Sequence, residues 1–230
     1  VWIQGVSVGE VELAHALALA LRAAREGLPL LITSSTPAGV GLLGRRFRDL
    51  DPPARLQPFP LDLPVSVRRL LDSAAPRLLV LVETELWPVL LRAAHRRGLP
   101  VLVANGRLSE RSARRIRSAG RLFRGPLHAL SAVAARTPED AARFASAGVP
   151  AERIVVAGDM KYDRPLPPEP AFAHDLRALA AGRAVLVAGS IAPEELGLVL
   201  SLRRLLAERG PAPFLLLAPR RPESWDEAAA

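Results

Sequence analysis

Two acidic segments of this 230-residue chain follow apolar runs directly. Val1 to Val6 runs into Ser7-Val8-Gly9-Glu10, and Leu78 to Val82 runs into Glu83-Thr84-Glu85. A carboxylate so placed can accept a proton from a hydroxyl or hold a cation. Each has a structural reading as well. Glu10 opens a helix, where the dipole favours an anion by about 0.3–1 kcal/mol and lowers its pKa. Burial or a neighbouring carboxylate has to offset that lowering if Glu10 is to act as a base. One of Glu83 and Glu85 can cap the helix that begins near Trp87, with Pro88 in its first turn, but two acids exceed what a cap needs.

The cations are distributed just as unevenly. Of 31 basic residues, Lys161 alone is lysine. Ammonium and guanidinium are not interchangeable, so this is either a site that requires a compact charge or a chance occurrence. Arg107, Arg111, Arg114 and Arg115 recur at helical spacing behind Asn105-Gly106, with Ser109 able to cap the helix. They form either a solvated basic face or a phosphate site suited to arginine forks. Pro219-Arg220-Arg221-Pro222-Glu223 is either a polar turn or a hold for a nucleotide phosphate.

Composition narrows the chemistry. With no cysteine, a disulfide framework, a thiolate zinc site and a thiol nucleophile are excluded. The four histidines, at 15, 95, 128 and 174, show no His-x-x-x-His or His-Glu-x-x-His pairing, so no His-rich metal site is expected. The net charge of +8 suits anionic partners. Aromatics at 4%, not interleaved with basic blocks, argue against nucleic acid. No apolar run reaches the roughly 18–20 residues that cross a bilayer. The richest, Glu12 to Ala24, carries His15 and Arg22 and reads as a core-facing helix. The abrupt apolar start and the Glu227-Ala-Ala-Ala end read as cuts, so an anchor missing here says nothing of a longer parent.

These residues need a frame that brings them together. Short β-rich runs alternate with helical ones: strands at 1–6, 28–33, 55–59, 77–82, 99–104, 129–134 and 154–157, and helices at 9–25, 37–48, 64–73, 87–97, 110–123 and 138–147. Thr137 is the expected cap of the last helix, with Asp140 three residues on. Apolar strands joined by helices imply an α/β fold with a Rossmann-like parallel sheet covered on both faces. Ligands of such sheets gather at the carboxyl ends of the strands, where the acids, Asn105-Gly106-Arg107 and Gly158-Asp159-Met160-Lys161 all fall. A Pro-rich linker over 164–170 separates this first domain, 1–163, from the opening of a second Rossmann-like domain over 171–230. There, helices at 172–181 and 193–209 alternate with strands at 184–188 and 214–218.

In order and spacing, Val6-Ser-Val-Gly-Glu10, Thr36-Pro-Ala-Gly39, Glu83-Thr-Glu-Leu-Trp-Pro88, Ala104-Asn-Gly-Arg-Leu-Ser-Glu-Arg-Ser-Ala113, Gly158-Asp-Met-Lys-Tyr-Asp163 and Pro219-Arg-Arg-Pro-Glu223 resemble the 3-deoxy-D-manno-octulosonic acid (Kdo) transferase family of lipopolysaccharide synthesis. The resemblance implies the GT-B fold, with an acceptor-binding first domain and a nucleotide-sugar-binding second one. It implies inverting transfer of Kdo from CMP-Kdo to a lipid A precursor, with no cofactor and no bound metal, at the cytoplasmic face of the bacterial inner membrane. Glu10 would be the general base, and Glu83 and Lys161 would stabilise the transition state. Substrate contacts would fall at Ser7, Gly9, Glu85, Asn105, Arg107, Ser109 and Arg111, and nucleotide contacts at Gly189, Ser190, Pro219 and Arg220. A keto sugar acid with an oxocarbenium-like transition state and a departing phosphate suits that set of charges.

The chain departs from the family pattern at several positions. Gly106 stands where the family usually has alanine, Val89 where it has asparagine, Arg221 where it has histidine, and Ile191-Ala192 where it has Thr-His. The remaining glycine-rich nucleotide motifs and the family's N-terminal anchor are not in this stretch, which by itself is expected to be inactive. Two other readings stay open: another nucleotide-sugar enzyme on the GT-B scaffold, and a catalytically inactive module that binds lipid A or phosphate.

Overall fold

In a computed structural model that describes residues 1–84, 86–163 and 169–220, the chain divides into two compact units, 1–165 and 166–230. Seven parallel strands make the sheet of the first: β1 (Trp2–Gln4), β2 (Leu31–Ser34), β3 (Arg55–Pro58), β4 (Leu79–Val82), β5 (Val101–Gly106), β6 (Ala132–Ala135) and β7 (Ile154–Val156). Their order is β3-β2-β1-β4-β5-β6-β7. The chain thus winds outward from β1 on one side and, from β4 onward, on the other. The reversal lies between β1 and β4, which pair directly. The crevice beyond the carboxyl ends of the strands at such a reversal is where open α/β sheets bind ligands.

Side-chain alternation explains why both faces are covered. In β4, Leu79 and Leu81 enter one core cluster and Val80 and Val82 the other. The second cluster is closed by α1 (Val8–Ala24) and α2 (Pro37–Arg46), through Val11, Leu13, Ala14, Ala18 and Leu43. The first is closed by α3 (Pro64–Ala74), α4 (Pro88–Arg96), α5 (Glu110–Ser118), α6 (Arg121–His128) and α7 (Pro138–Ser146). A strand apolar at every position is therefore buried throughout, as the sequence pattern requires.

Two expectations are corrected. The single helix expected over 110–123 is two helices, because Gly120 adopts φ 46°, ψ −109°, a conformation that only glycine takes readily. The strand expected from Ala129 begins at Ala132, since α6 runs on to His128. In addition β5 continues to Gly106, so Asn105 and Gly106 are strand residues at a register shift, with Asn105 at φ 54°.

The second unit pairs β8 (Val185–Ile191) with β9 (Phe214–Pro219) in parallel, with α8 (Ala173–Ala180) and α9 (Pro193–Ala207). The register shifts between Gly189 and Ile191, and Ser190 sits there at φ 58°.

Candidate functional site

Glu10 is held by the start of its own helix. Ser7 is the N-cap of α1, its hydroxyl accepting from the Glu10 amide at 3.4 Å and donating to Glu10 Oε1 at 3.0 Å. The Val6 amide donates to Glu10 Oε2 at 2.6 Å. Ser7 thus caps the helix, and Glu10 reaches back to the amide that precedes the cap, a variant of the capping box that adds to the helix-start role read for Glu10 in the sequence. Two donors on a carboxylate with about four acceptor positions leave room for another partner. Burial raises the Glu10 pKa, the Val6 amide and Ser7 oppose the rise, and the Glu83 charge adds to it. The outcome is a raised value, because burial and the neighbouring carboxylate outweigh the capping donors and the helix dipole.

Glu83 continues the β4 ladder, its amide donating to Ala104 O at 2.9 Å, and then turns the chain at φ 63°. A glutamate in the left-handed region is uncommon, and residues held so concentrate at functional sites. Its side chain is 16% exposed and its Oε1 lies 3.8 Å from Lys161 Nζ. The next residue, Thr84, donates its hydroxyl to Arg107 O, which joins the turns after β4 and β5. Glu85 lies outside the described residues. The helix that follows is capped by Asp62, from the loop after β3, which accepts from the Val89 and Leu90 amides at 3.0 and 2.9 Å.

The turn that carries Lys161 is pinned from below. Asn105 Oδ1 accepts from the Met160 amide at 2.9 Å, and Asp159 Oδ1 accepts from the Lys161 amide at 3.0 Å. Arg136 Nη1 reaches Asp159 Oδ2 at 3.2 Å, and Arg136 Nε lies 3.7 Å from Asp140 Oδ2. Asp140 is 3% exposed and accepts from the Leu108 amide at 2.9 Å. Burial works to raise the Asp159 pKa, but the Lys161 amide, Arg136, Asn105 and the Lys161 charge together hold it below the ordinary carboxylate range. A line of alternating charge therefore runs from Asp140 through Arg136 and Asp159 to the turn bearing Lys161, whose ammonium faces Glu83.

Glu10, Glu83 and Lys161 are thus brought to one rim, at the carboxyl ends of β1, β4 and β7. Asn105 lies beneath the Lys161 turn and is almost fully buried. Gly9 is exposed in the first turn of α1. Ser109 caps α5 by accepting from the Ser112 amide at 3.1 Å, and Arg107, Arg111, Arg114 and Arg115 are exposed around it. In the second unit Gly189, Ser190, Pro219 and Arg220 meet at the carboxyl end of the two strands, where the Arg220 amide donates to Ile191 O at 2.9 Å. Arg221 lies outside the described residues. Arg136 was missed in the sequence, although it follows β6 directly, and the strand-end rule that found Glu83 applies to it equally. Among the described residues, no three His, Asp or Glu side chains come together as a metal site.

A doubly wound sheet with acids and a lysine at its carboxyl rim, followed by a second unit with parallel strands, defines a GT-B-like α/β fold. A crystal structure of UDP-N-acetylglucosamine 2-epimerase superposes with a TM-score of 0.65 at 14% identity, covering 99% of this chain and 64% of that one, a likeness of fold alone. Residues 1–164 match the family model described as 3-deoxy-D-manno-octulosonic-acid transferase (kdotransferase), and the chain belongs to that family. It is 37% identical over 235 residues to the 3-deoxy-D-manno-octulosonic acid transferase of Bordetella pertussis, covering 100% of this chain and 54% of that protein. It is 33% identical over 231 residues to the transferase of the same name from Haemophilus influenzae, covering 100% and 53%. The chain spans about half the length of these curated relatives.

Proposed function

We propose that this chain supplies the acceptor side and the first nucleotide contacts of an inverting, metal-independent transferase that moves Kdo from CMP-Kdo to a lipid A precursor at the cytoplasmic face of the inner membrane. The observation that carries the reading is the meeting of Glu10, half-buried and raised in pKa, with the Glu83–Lys161 pair at the reversal of the sheet. A base needs a pKa brought up toward working pH, and burial beside a second carboxylate does that. Glu10 takes the proton of the acceptor hydroxyl, whose oxygen bonds to the anomeric carbon of Kdo from the face opposite CMP. The bond from that carbon to the phosphate oxygen breaks, and CMP leaves with the electron pair. Glu83 faces the positive charge that develops on the sugar, and the Lys161 ammonium faces the carboxylate and phosphate around it. Ser7, Gly9, Glu85, Asn105, Arg107, Ser109 and Arg111 make the acceptor side, and Gly189, Ser190, Pro219 and Arg220 start the CMP site.

Two measurements on the full-length protein test this. Glu10→Ala is expected to lower transfer by about 10²–10⁴-fold, the usual range for a general base. Wild-type transfer by that variant removes Glu10 as base. No transfer by the full-length wild type would favour the second reading, a catalytically inactive lipid A- or phosphate-binding module in which the hydrogen bonds of Glu10 to Ser7 and the Val6 amide are the whole purpose of the acid. CMP is also expected to raise the melting temperature where UDP does not. Protection by UDP alone points to another nucleotide-sugar enzyme of the same scaffold.

A further inference from the structure

The Thr36–Gly39 segment belongs to the family resemblance but has no role in the reaction as written above. The structure gives it one. Three donors converge on Val6 O: Ser34 Oγ at 2.8 Å, Thr36 Oγ1 at 2.8 Å and the Thr36 amide at 3.3 Å. The convergence is possible only because residue 39 is glycine: a Cβ there would stand 2.2 Å from Ser34 Oγ and 2.8 Å from Val6 O. Thr36 Oγ1 also accepts from the Gly39 amide at 3.1 Å, as the N-cap of α2. The beginnings of α1 and α2 are therefore tied together at one carbonyl.

That carbonyl is one end of the Val6–Ser7 peptide, and the other end is the Ser7 N–H. The Ser7 hydroxyl and the Val6 amide, which stand on either side of that peptide, donate to the Glu10 carboxylate and favour its charged form. Donors on Val6 O hold that peptide in place, so what binds Val6 O is felt at Glu10 through the two donors it positions. The same bonds also fix where Val6 and Ser7 stand, and so where the carboxylate points. Glu83 faces Glu10 from the end of β4, and Lys161 faces Glu83 from the turn after β7.

We propose that Ser34 and Thr36, with Gly39 making room for them, are positioning residues that set Glu10 through the Val6–Ser7 peptide. This rests on the reading of Glu10 as the base. Neither hydroxyl needs to touch substrate, and both act through the backbone.

The test compares Ser34→Ala, Thr36→Val, their double variant and Thr36→Ser. Ser34→Ala is decisive, because it leaves the α2 cap intact. In the full-length enzyme Ser34→Ala and the double variant are expected to move the acid limb of kcat/KM up by about half a pH unit, the weakening of the two hydrogen bonds that favour the charged form. The double variant is expected to lower kcat about 5- to 10-fold with KM within about twofold, as a misplaced base does. Thr36→Ser keeps the hydroxyl and is expected to behave as wild type. In the 230-residue chain, the Glu10 side-chain carboxyl followed by ¹³C NMR is expected to titrate at higher pH in Ser34→Ala than in wild type. An unmoved Glu10 titration and an unmoved acid limb, in variants that melt as wild type does, overturn the proposal. Glu10→Gln separates the two claims: full transfer by that variant removes the base assignment, while a displaced carboxyl titration in Ser34→Ala still establishes the coupling.

Discussion

Glu10 does two jobs with opposite requirements. In the first turn of α1 it accepts two hydrogen bonds, from the Val6 amide and the Ser7 hydroxyl, which favour its anion. As a half-buried group beside Glu83 it is pushed the other way, and the push wins. The consequence for stability has a definite sign. A carboxyl whose folded pKa lies above its unfolded one contributes stability that is present below the unfolded pKa and is lost as pH rises through the folded one. Ionised Glu10 therefore works against folding at neutral pH, and Glu10→Gln, which keeps an acceptor for the Val6 amide, is expected to raise the urea midpoint at about pH 8 and not at about pH 4. A lower midpoint at pH 8 would mean that capping outweighs burial. At Lys161 geometry matters more than charge. Its Nζ lies 3.8 Å from Glu83 Oε1 on a turn fixed by Asn105 and Asp159. A guanidinium is longer, planar and differently hydrated, so Lys161→Arg in the full-length enzyme is expected to lose about 10²-fold or more in kcat. Transfer within a factor of a few of wild type would show that any cation serves there.

The elements meet at points where one side chain decides the fit. α4 begins without a cap of its own, and Asp62 crosses from the loop after β3 to hold the Val89 and Leu90 amides. Asp62→Ala is expected to cost about 1 kcal/mol, within the usual range for a lost cap, read as a fall in urea midpoint at constant m-value. Gly106 is a second such point. A Cβ there would lie 3.0 Å from Phe144 Cε2 and 3.2 Å from Val133 Cγ1, so the Phe144 ring of α7 occupies the space an alanine would need. Gly106→Ala is expected to destabilise by about 1–3 kcal/mol as overpacking, and Phe144→Leu in the same chain to recover part of it. Strict additivity of the two changes would count against this packing account.

The two units differ in how completely each covers its own sheet. The seven-stranded sheet has a continuous cluster on each face. In the second unit, Ala180, Ile191 and Ala192 are the buried apolar residues among those described, while Val185, Val187, Leu198 and Leu205 are exposed. Stability follows apolar area removed from water, so the second unit is expected to melt at lower urea than the first. Trp2 and Trp87 are packed in the core of the first unit. Leu81→Ala, a fully buried deletion there, is expected to lower the tryptophan-reported transition by about 2–5 kcal/mol. The far-UV circular dichroism transition of the second unit is expected to stay in place. One shared transition that moves as a whole would show that the units unfold together.

Much of this was legible in the chain itself. Uninterrupted apolar runs such as 78–82, broken by helical periods, can only be strands buried on both faces, which makes the sheet parallel and puts Glu10, Glu83 and Lys161 at its carboxyl rim. The types of those residues were likewise readable as exceptions to their surroundings. The break at Gly120 was not, because glycine is tolerated in a helix and nothing local says which φ it takes. Nor was the partner of Asp62, since a cap supplied from 27 residues away leaves no periodic signal. The strand order that places β1 against β4, the ion pair between Arg136 and Asp159, and the three donors on Val6 O all join residues distant in sequence. Residue type and local periodicity fix which groups stand at strand ends, but the pKa of Glu10 depends on burial and on a charge more than 70 residues away. Only the packing of the sheet against its helices sets those distances.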